Sequence, residues 1–173
     1  MNEALNNLFT RHSVRSFSDR KIDRAVLEEI VKAGYHAPTA MNSQKWHFTV
    51  VQNKETIEKL AVELRRILNR DSGYNFYAPD TLILVSGPED YRFTVQDCSC
   101  ALENIFLAAH SFGVGSVWIN QFCGNCDDPG LRALLNSLGT PSDHNVVGAA
   151  ALGYPSGEVT GREKNPDVVS WAL

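Results

Sequence analysis

The 173-residue chain has no apolar run long enough to cross a bilayer. Its first ten residues, MNEALNNLFT, place no basic segment before an apolar one, so cytoplasmic residence is the expectation. A basic surplus is missing too: 16 Lys and Arg stand against 20 Asp and Glu, a formal charge of -4. With a pI near 5.7, a surface devoted to nucleic acid is excluded, because phosphate-backbone binding draws on a broad excess of cations. Cysteine is sparse: four residues, as Cys98-Ser99-Cys100 and Cys123-Gly124-Asn125-Cys126. In a cytosolic chain this argues against a disulfide framework. A four-thiolate metal site would need all four to converge, yet residues two apart on a helix point to nearly opposite sides. Cys98 and Cys100 are therefore expected to be small buried side chains, while Cys123 and Cys126 leave a redox role open. The chain has no Gly-x-Ser-x-Gly elbow, so His12-Ser13 lacks the setting of a hydrolase nucleophile. Gly113-Val114-Gly115 follows a helical pattern where a dinucleotide fingerprint would open one. There is no internal repeat and no low-complexity tract.

What is present reads as one domain spanning residues 1–173, with 43% hydrophobic and 21% charged residues. Leu5, Leu8 and Phe9 share a face of a short first helix. Asp23 is placed to cap a second, in which Val26, Leu27, Ile30 and Val31 repeat at helical spacing up to Gly34. WHFTVVQ (46–52) reads as a strand. Ile57, Leu60, Ala61, Leu64, Ile67 and Leu68 predict a long amphipathic helix. TLILVSGP (81–88) suits a strand covered on both faces. Residues 97–112 form a helix apolar almost all round, expected at the centre. GSVWIN (115–120) is a short strand or extended turn. Asp128-Pro129 opens a helix carrying Leu131, Leu134, Leu135 and Leu138 and stopped by Gly139, and NVVGAAALG (145–153) is the last strand. Helices around a small mixed sheet place the fold in the α+β or α/β class. The tail from Tyr154 onward holds Pro155, Gly157, Gly161 and Pro166 and ends VVSWAL, an arm suited to docking on a partner subunit or on its own core.

Hydrogen-bond donors crowd one place in this acidic chain. RHSVRSFSDR (11–20) contains three arginines, a histidine and three serines. Arg11, Ser13 and Arg15, with His12, suit a phosphate, since guanidinium groups offer forked, permanently charged donors. Read by charge alone, the stretch is a solvated basic turn, and Arg20 and Lys21 are surface charge. Pro38, Thr39, Asn42 and Gln44 form a polar loop whose amides match a planar heterocycle with donors and acceptors. Read alone, they are turn chemistry. Arg162 and Lys164 are either a second anion contact or solvated charges.

Together these segments resemble the FMN-dependent nitroreductase family. RHSVRSF resembles its Arg-x-Ser-x-Arg-x-Phe motif. AGYHAPTAMNSQKWHFTVV resembles its Ala-Pro-Ser-x-x-Asn-x-Gln-Pro-Trp-x-Phe segment, with Thr39 for the commoner Ser and Lys45 for the usual Pro. ALENIFLAAHSFGVGSVWI, then AALGYP, resembles its central helix and late strand. The resemblance implies an α+β fold, a central mixed sheet flanked by helices, and a C-terminal arm reaching the partner of a homodimer with FMN at the interface. It implies that Arg11, Ser13 and Arg15 hold the flavin phosphate and pyrimidine edge with His12. Pro38, Thr39, Asn42 and Gln44 would approach from the other subunit, Asn120 would lie near the flavin N5, and Arg162 and Lys164 would make the basic tail contact. Larger members carry an Asn and a Lys in the middle region that contact flavin, and NRDSGYNFYAP offers no clear match to them. The implied activity is hydride transfer from NADH or NADPH to FMN, then to a nitroaromatic, quinone or similar acceptor in a ping-pong cycle. The cofactor carries that chemistry, so no catalytic side chain and no metal is nominated. The competing expectation is a flavin store or redox sensor without turnover, to which Cys123-x-x-Cys126 lends a foothold.

Overall fold

A computed structural model describes residues 2–172. In chain order its elements are α1 (Glu3–Thr10), α2 (Arg24–Tyr35), β1 (His47–Val51), α3 (Lys54–Leu68), β2 (Thr81–Pro88), α4 (Thr94–Ser111), β3 (Gly115–Ile119), α5 (Pro129–Ser137) and β4 (His144–Gly153). A single 3-10 turn, Ala40–Asn42, interrupts the loop between α2 and β1. Local chemistry sets most boundaries. Asn2, Asn53 and Asp128 cap α1, α3 and α5 by accepting amide hydrogens with their side chains. Asn69 ends α3 in left-handed backbone. Asp23 does stand at the N-cap of α2, but its carboxylate makes no capping bond.

The strands lie in the order β1-β2-β4-β3 and every ladder is antiparallel. The expected mixed character shrinks to one isolated parallel bridge, Ser13 to Ser116. Antiparallel strands with both faces covered explain why TLILVSGP is apolar without alternation. Leu82 and Leu84 face α3 and α5, packing with Leu60, Leu64, Leu131 and Leu135. Ile83 and Val85 face α2 and α4, packing with Ile30, Leu102 and Ile105. The period of two sends neighbouring residues into two separate cores. A bulge between Val85 and Ser86 shifts the register against β4, so Val146 joins the core of Ala149 and Ala151 and Val147 that of Ala150 and Leu152, the reverse of unbroken alternation. The class is α+β.

α4 is the central helix, as its composition predicts, with Cys98, Ala101, Leu102, Ile105 and Ala109 buried. Cys100, expected to be buried, is exposed: it lies two residues from Cys98, on the opposite side of the helix. β3 is an edge strand, and along its free side runs the segment after α1. The Val14 amide donates to the Ser116 carbonyl at 2.9 Å, and Val14 itself is buried. A Cβ on Gly115 would come within 2.8 Å of the Val14 side chain, so glycine permits this close approach. The Ser18 amide donates to the Tyr154 carbonyl and the Ser156 amide to the Ser16 carbonyl, tying the same segment to the start of the tail. Lys21 is not free surface charge. It sits 3.1 Å from the buried carboxylate of Asp80, and Arg20 lies 3.7 Å over the Tyr154 ring.

Candidate functional site: a cationic recess and a braced loop

Val14 points inward from an extended segment, so its alternate neighbours point outward. Arg11, Ser13 and Arg15 thereby share one side. The tail returns over them, and together Arg11, His12, Ser13, Arg15, Thr160, Gly161, Arg162 and Lys164 line a recess of about 400 Å³. Its lining contains four permanent cations and no carboxylate. Arg11 has one acidic neighbour at the rim, Glu103 at 3.8 Å. A Cβ on Gly161 would meet the His12 imidazole, which would have to turn aside to admit it. Beneath the rim, the Thr10 hydroxyl meets His110 Nε2 at 2.8 Å. Burial, then the charges of Arg11 and His12, push the His110 pKa below its ordinary value. A positive field is what this donor set makes, and it selects a compact anion such as a phosphate ester.

Pro38, Thr39, Asn42 and Gln44 lie elsewhere. Their loop is fixed from α4 and the turn before it: the Ala40 amide donates to Asp97 Oδ1 at 3.0 Å, and the Ser43 hydroxyl reaches Tyr91 OH at 2.8 Å. Within the loop, the Gln44 amide donates to Thr39 Oγ1, and Gln44 Nε2 donates to Asn42 Oδ1 at 3.0 Å. Met41, Asn42 and Gln44 all have φ near +50°, a region that disfavours residues with a Cβ by about 1–2 kcal/mol each. The buried Asp97 offsets that strain by holding the turn. Pro38, Asn42 and Gln44 remain exposed, and Met41 is 84% exposed.

The structure thus gathers Arg11, His12, Ser13, Arg15, Arg162 and Lys164, and leaves the loop and Asn120 apart from them. The loop is braced at Asp97, while the recess lies by His110. Along α4 these residues are roughly 20 Å apart at ~1.5 Å of rise per residue. Asn120 is exposed just beyond β3, and its carbonyl accepts the Cys123 amide. In that turn Cys123 is exposed and Cys126 buried. The Cys126 sulfur takes the Val146 amide at 3.3 Å and donates to the Phe122 carbonyl, and burial raises its pKa. One thiol of the pair is therefore buried and the other is not.

Four residues at these two places carry little or no local sequence signal. Asp97 was legible in principle, as an acid on a helix otherwise nearly all apolar. Tyr91, the brace at Ser43, and Thr160, in the recess wall, carry no such signal. Tyr77, whose ring centre lies 6.0 Å from the Arg15 guanidinium, sits in the unmatched middle region. Phe76, Tyr77 and Ala78 are all left-handed, without the glycine or asparagine that would mark such a turn.

A four-stranded antiparallel sheet between two helical layers, with a cationic recess beside its edge strand, defines an α+β protein. The chain belongs to the nitroreductase family, whose model matches residues 8–154. It is similar to a candidate NADH dehydrogenase/NAD(P)H nitroreductase of Archaeoglobus fulgidus, 37% identical over 164 residues, covering 91% of this chain and 88% of the relative. It is also similar to an FMN reductase (NAD(P)H) of Bacillus subtilis, 24% identical, covering 90% and 67%. Among solved structures, a nitroreductase with bound FMN from Bacteroides fragilis superposes with a TM-score of 0.93 at 34% identity, covering all of both chains. One from Desulfitobacterium hafniense, also with bound FMN, gives 0.90 at 25% identity and the same coverage. The family match ends at Tyr154, so Arg162 and Lys164 come from the tail beyond it.

Proposed function

We propose that the chain is an FMN-dependent NAD(P)H oxidoreductase whose recess holds the flavin phosphate. The observation that carries this reading is the recess itself: Arg11, Arg15, Arg162 and Lys164 with Ser13 and no carboxylate in its lining, a donor set that fits a phosphate monoester dianion. When bound, FMN supplies the redox chemistry, taking hydride from NADH or NADPH and passing electrons to a nitroaromatic, quinone or similar acceptor in a ping-pong cycle. The chain's residues bind and orient. Arg11, His12 and Ser13 grip the anion from one wall, and Arg162 and Lys164 grip it from the tail. Arg15 would add a cation on the same side, and its charge would favour the more negative, reduced flavin. Pro38, Thr39, Asn42 and Gln44 of a second copy close on the same flavin, and Asn120 with its neighbouring backbone lies toward N5. A shared site accounts for the distance between recess and loop within one chain. α1 buries none of its residues and leaves Leu5, Leu8 and Phe9 exposed, an apolar face suited to a homodimer.

Titration of the apoprotein with FMN, followed by NAD(P)H oxidation with added nitroaromatic or quinone, tests the proposal. Stoichiometric binding and steady turnover are expected. No FMN binding contradicts the assignment, and tight binding without turnover on any acceptor identifies a flavin store instead.

A further inference from the structure

Two runs of left-handed, non-glycine residues stand out among the described residues. One, Met41, Asn42 and Gln44, shapes the loop assigned above to the flavin. The other, Phe76, Tyr77 and Ala78, with φ of 57°, 69° and 51°, has no part in that assignment. Such backbone persists only where its surroundings over-determine it, and it clusters where a side chain must be aimed. Both flanks of the second run are fixed. Phe76 is fully buried, its ring stacked on Phe122 at 5.7 Å and met edge-on by Tyr74 at 5.3 Å. On the other side the Ala78 amide donates to the Asn75 carbonyl at 2.9 Å, and Pro79 restricts the backbone that follows. Asp80 is buried there, accepting from the Ile22 amide, the Gln52 side chain and the Thr81 hydroxyl, and pairing with Lys21.

Between these anchors Tyr77 is turned outward, 45% exposed, with its ring 6.0 Å from the Arg15 guanidinium. Arg15 is itself exposed, and a long cation in water samples many rotamers. A carboxylate neighbour would orient it but cancel the charge the recess needs. An aromatic face orients it and leaves the charge intact.

The geometry points to Tyr77 as the positioning residue for Arg15, a part of the cofactor site supplied by the middle region of the chain. This rests on the reading of the recess as the FMN site. It predicts that Tyr77→Ala weakens FMN binding about two- to five-fold, the range of an exposed cation–π contact. Tyr77→Phe restores wild-type affinity because the ring face is kept. In the Arg15→Ala background, Tyr77→Ala has no further effect, since its action passes through Arg15. Melting temperatures of the Tyr77 variants match wild type, because the ring is outside the core.

The experiment is FMN titration by fluorescence quenching on wild type, both Tyr77 variants, Arg15→Ala and the double variant, with thermal melts alongside. A non-additive double variant with Phe rescue is the expected result. Wild-type affinity in Tyr77→Ala, or losses that add in the double variant, overturns the role of Tyr77 alone. Failure of the wild type to bind FMN overturns the reading of the recess and this inference with it.

Discussion

The recess and the loop, proposed above as two parts of one binding surface, are built in different ways. The recess is made of charge: extended, exposed segments bring Arg11, Arg15, Arg162 and Lys164 together, and its side chains contribute little to the core. The loop is made of shape: three left-handed residues are held by hydrogen bonds from a buried carboxylate and a tyrosine. A charge-built site can lose a member without disturbing the fold. A shape-built site is coupled to the helix that braces it.

The largest expected effect is at the recess. Arg15→Ala should cost about 1.5–3 kcal/mol of FMN affinity, the range for a charge-assisted contact, with an unchanged melting temperature. A fall in melting temperature of the same size would erase the distinction. At the loop, Asp97→Ala orphans the Ala40 amide and frees the turn, so stability should drop by about 1–3 kcal/mol and FMN affinity should fall with it. Loss of stability at full affinity would show that the loop does not touch the ligand.

His110 reports on the recess more gently. Its pKa is lowered, first by burial and then by Arg11 and His12. The stability it contributes is therefore fully present above its ordinary value of 6.5 and is lost as pH falls through the lower folded value. A phosphate in the recess offsets those charges, so FMN should move the His110 titration upward in an NMR pH series. A titration indifferent to FMN would place the ligand elsewhere. The smallest effect is at Met41, exposed and left-handed. Met41→Gly should raise stability by roughly 0.5 kcal/mol, the relief of strain less the entropy of glycine. Destabilisation there would mean that the Met41 side chain, and not the backbone, holds the turn.

The same contrast sets what was legible in the sequence. Helical spacing, strand runs and asparagine or Asp-Pro caps are local, so nearly every element lies where its pattern places it. Charge is legible too: Arg11, Ser13 and Arg15 share a side because strands alternate, and the basic tail residues join them. The antiparallel ladders were not legible, because TLILVSGP reads the same in any sheet covered on both faces. Nor were Lys21 and Asp80 as a pair, distant in sequence and joined only by the fold. The left-handed residues Phe76–Ala78 include no glycine or asparagine, although Asn75 and Pro79 flank them, and the aromatic packing of Phe76 on Phe122 fixes the turn. Shape imposed by tertiary contacts leaves no local mark.

Recess and loop stand by His110 and Asp97, roughly 20 Å apart along one α4, and are proposed to act on one flavin because two copies bring them together. Size-exclusion chromatography with light scattering and flavin absorbance measures this directly. A shared site requires a particle of two chains carrying two FMN; a flavin-loaded particle of 19.2 kDa would rule it out.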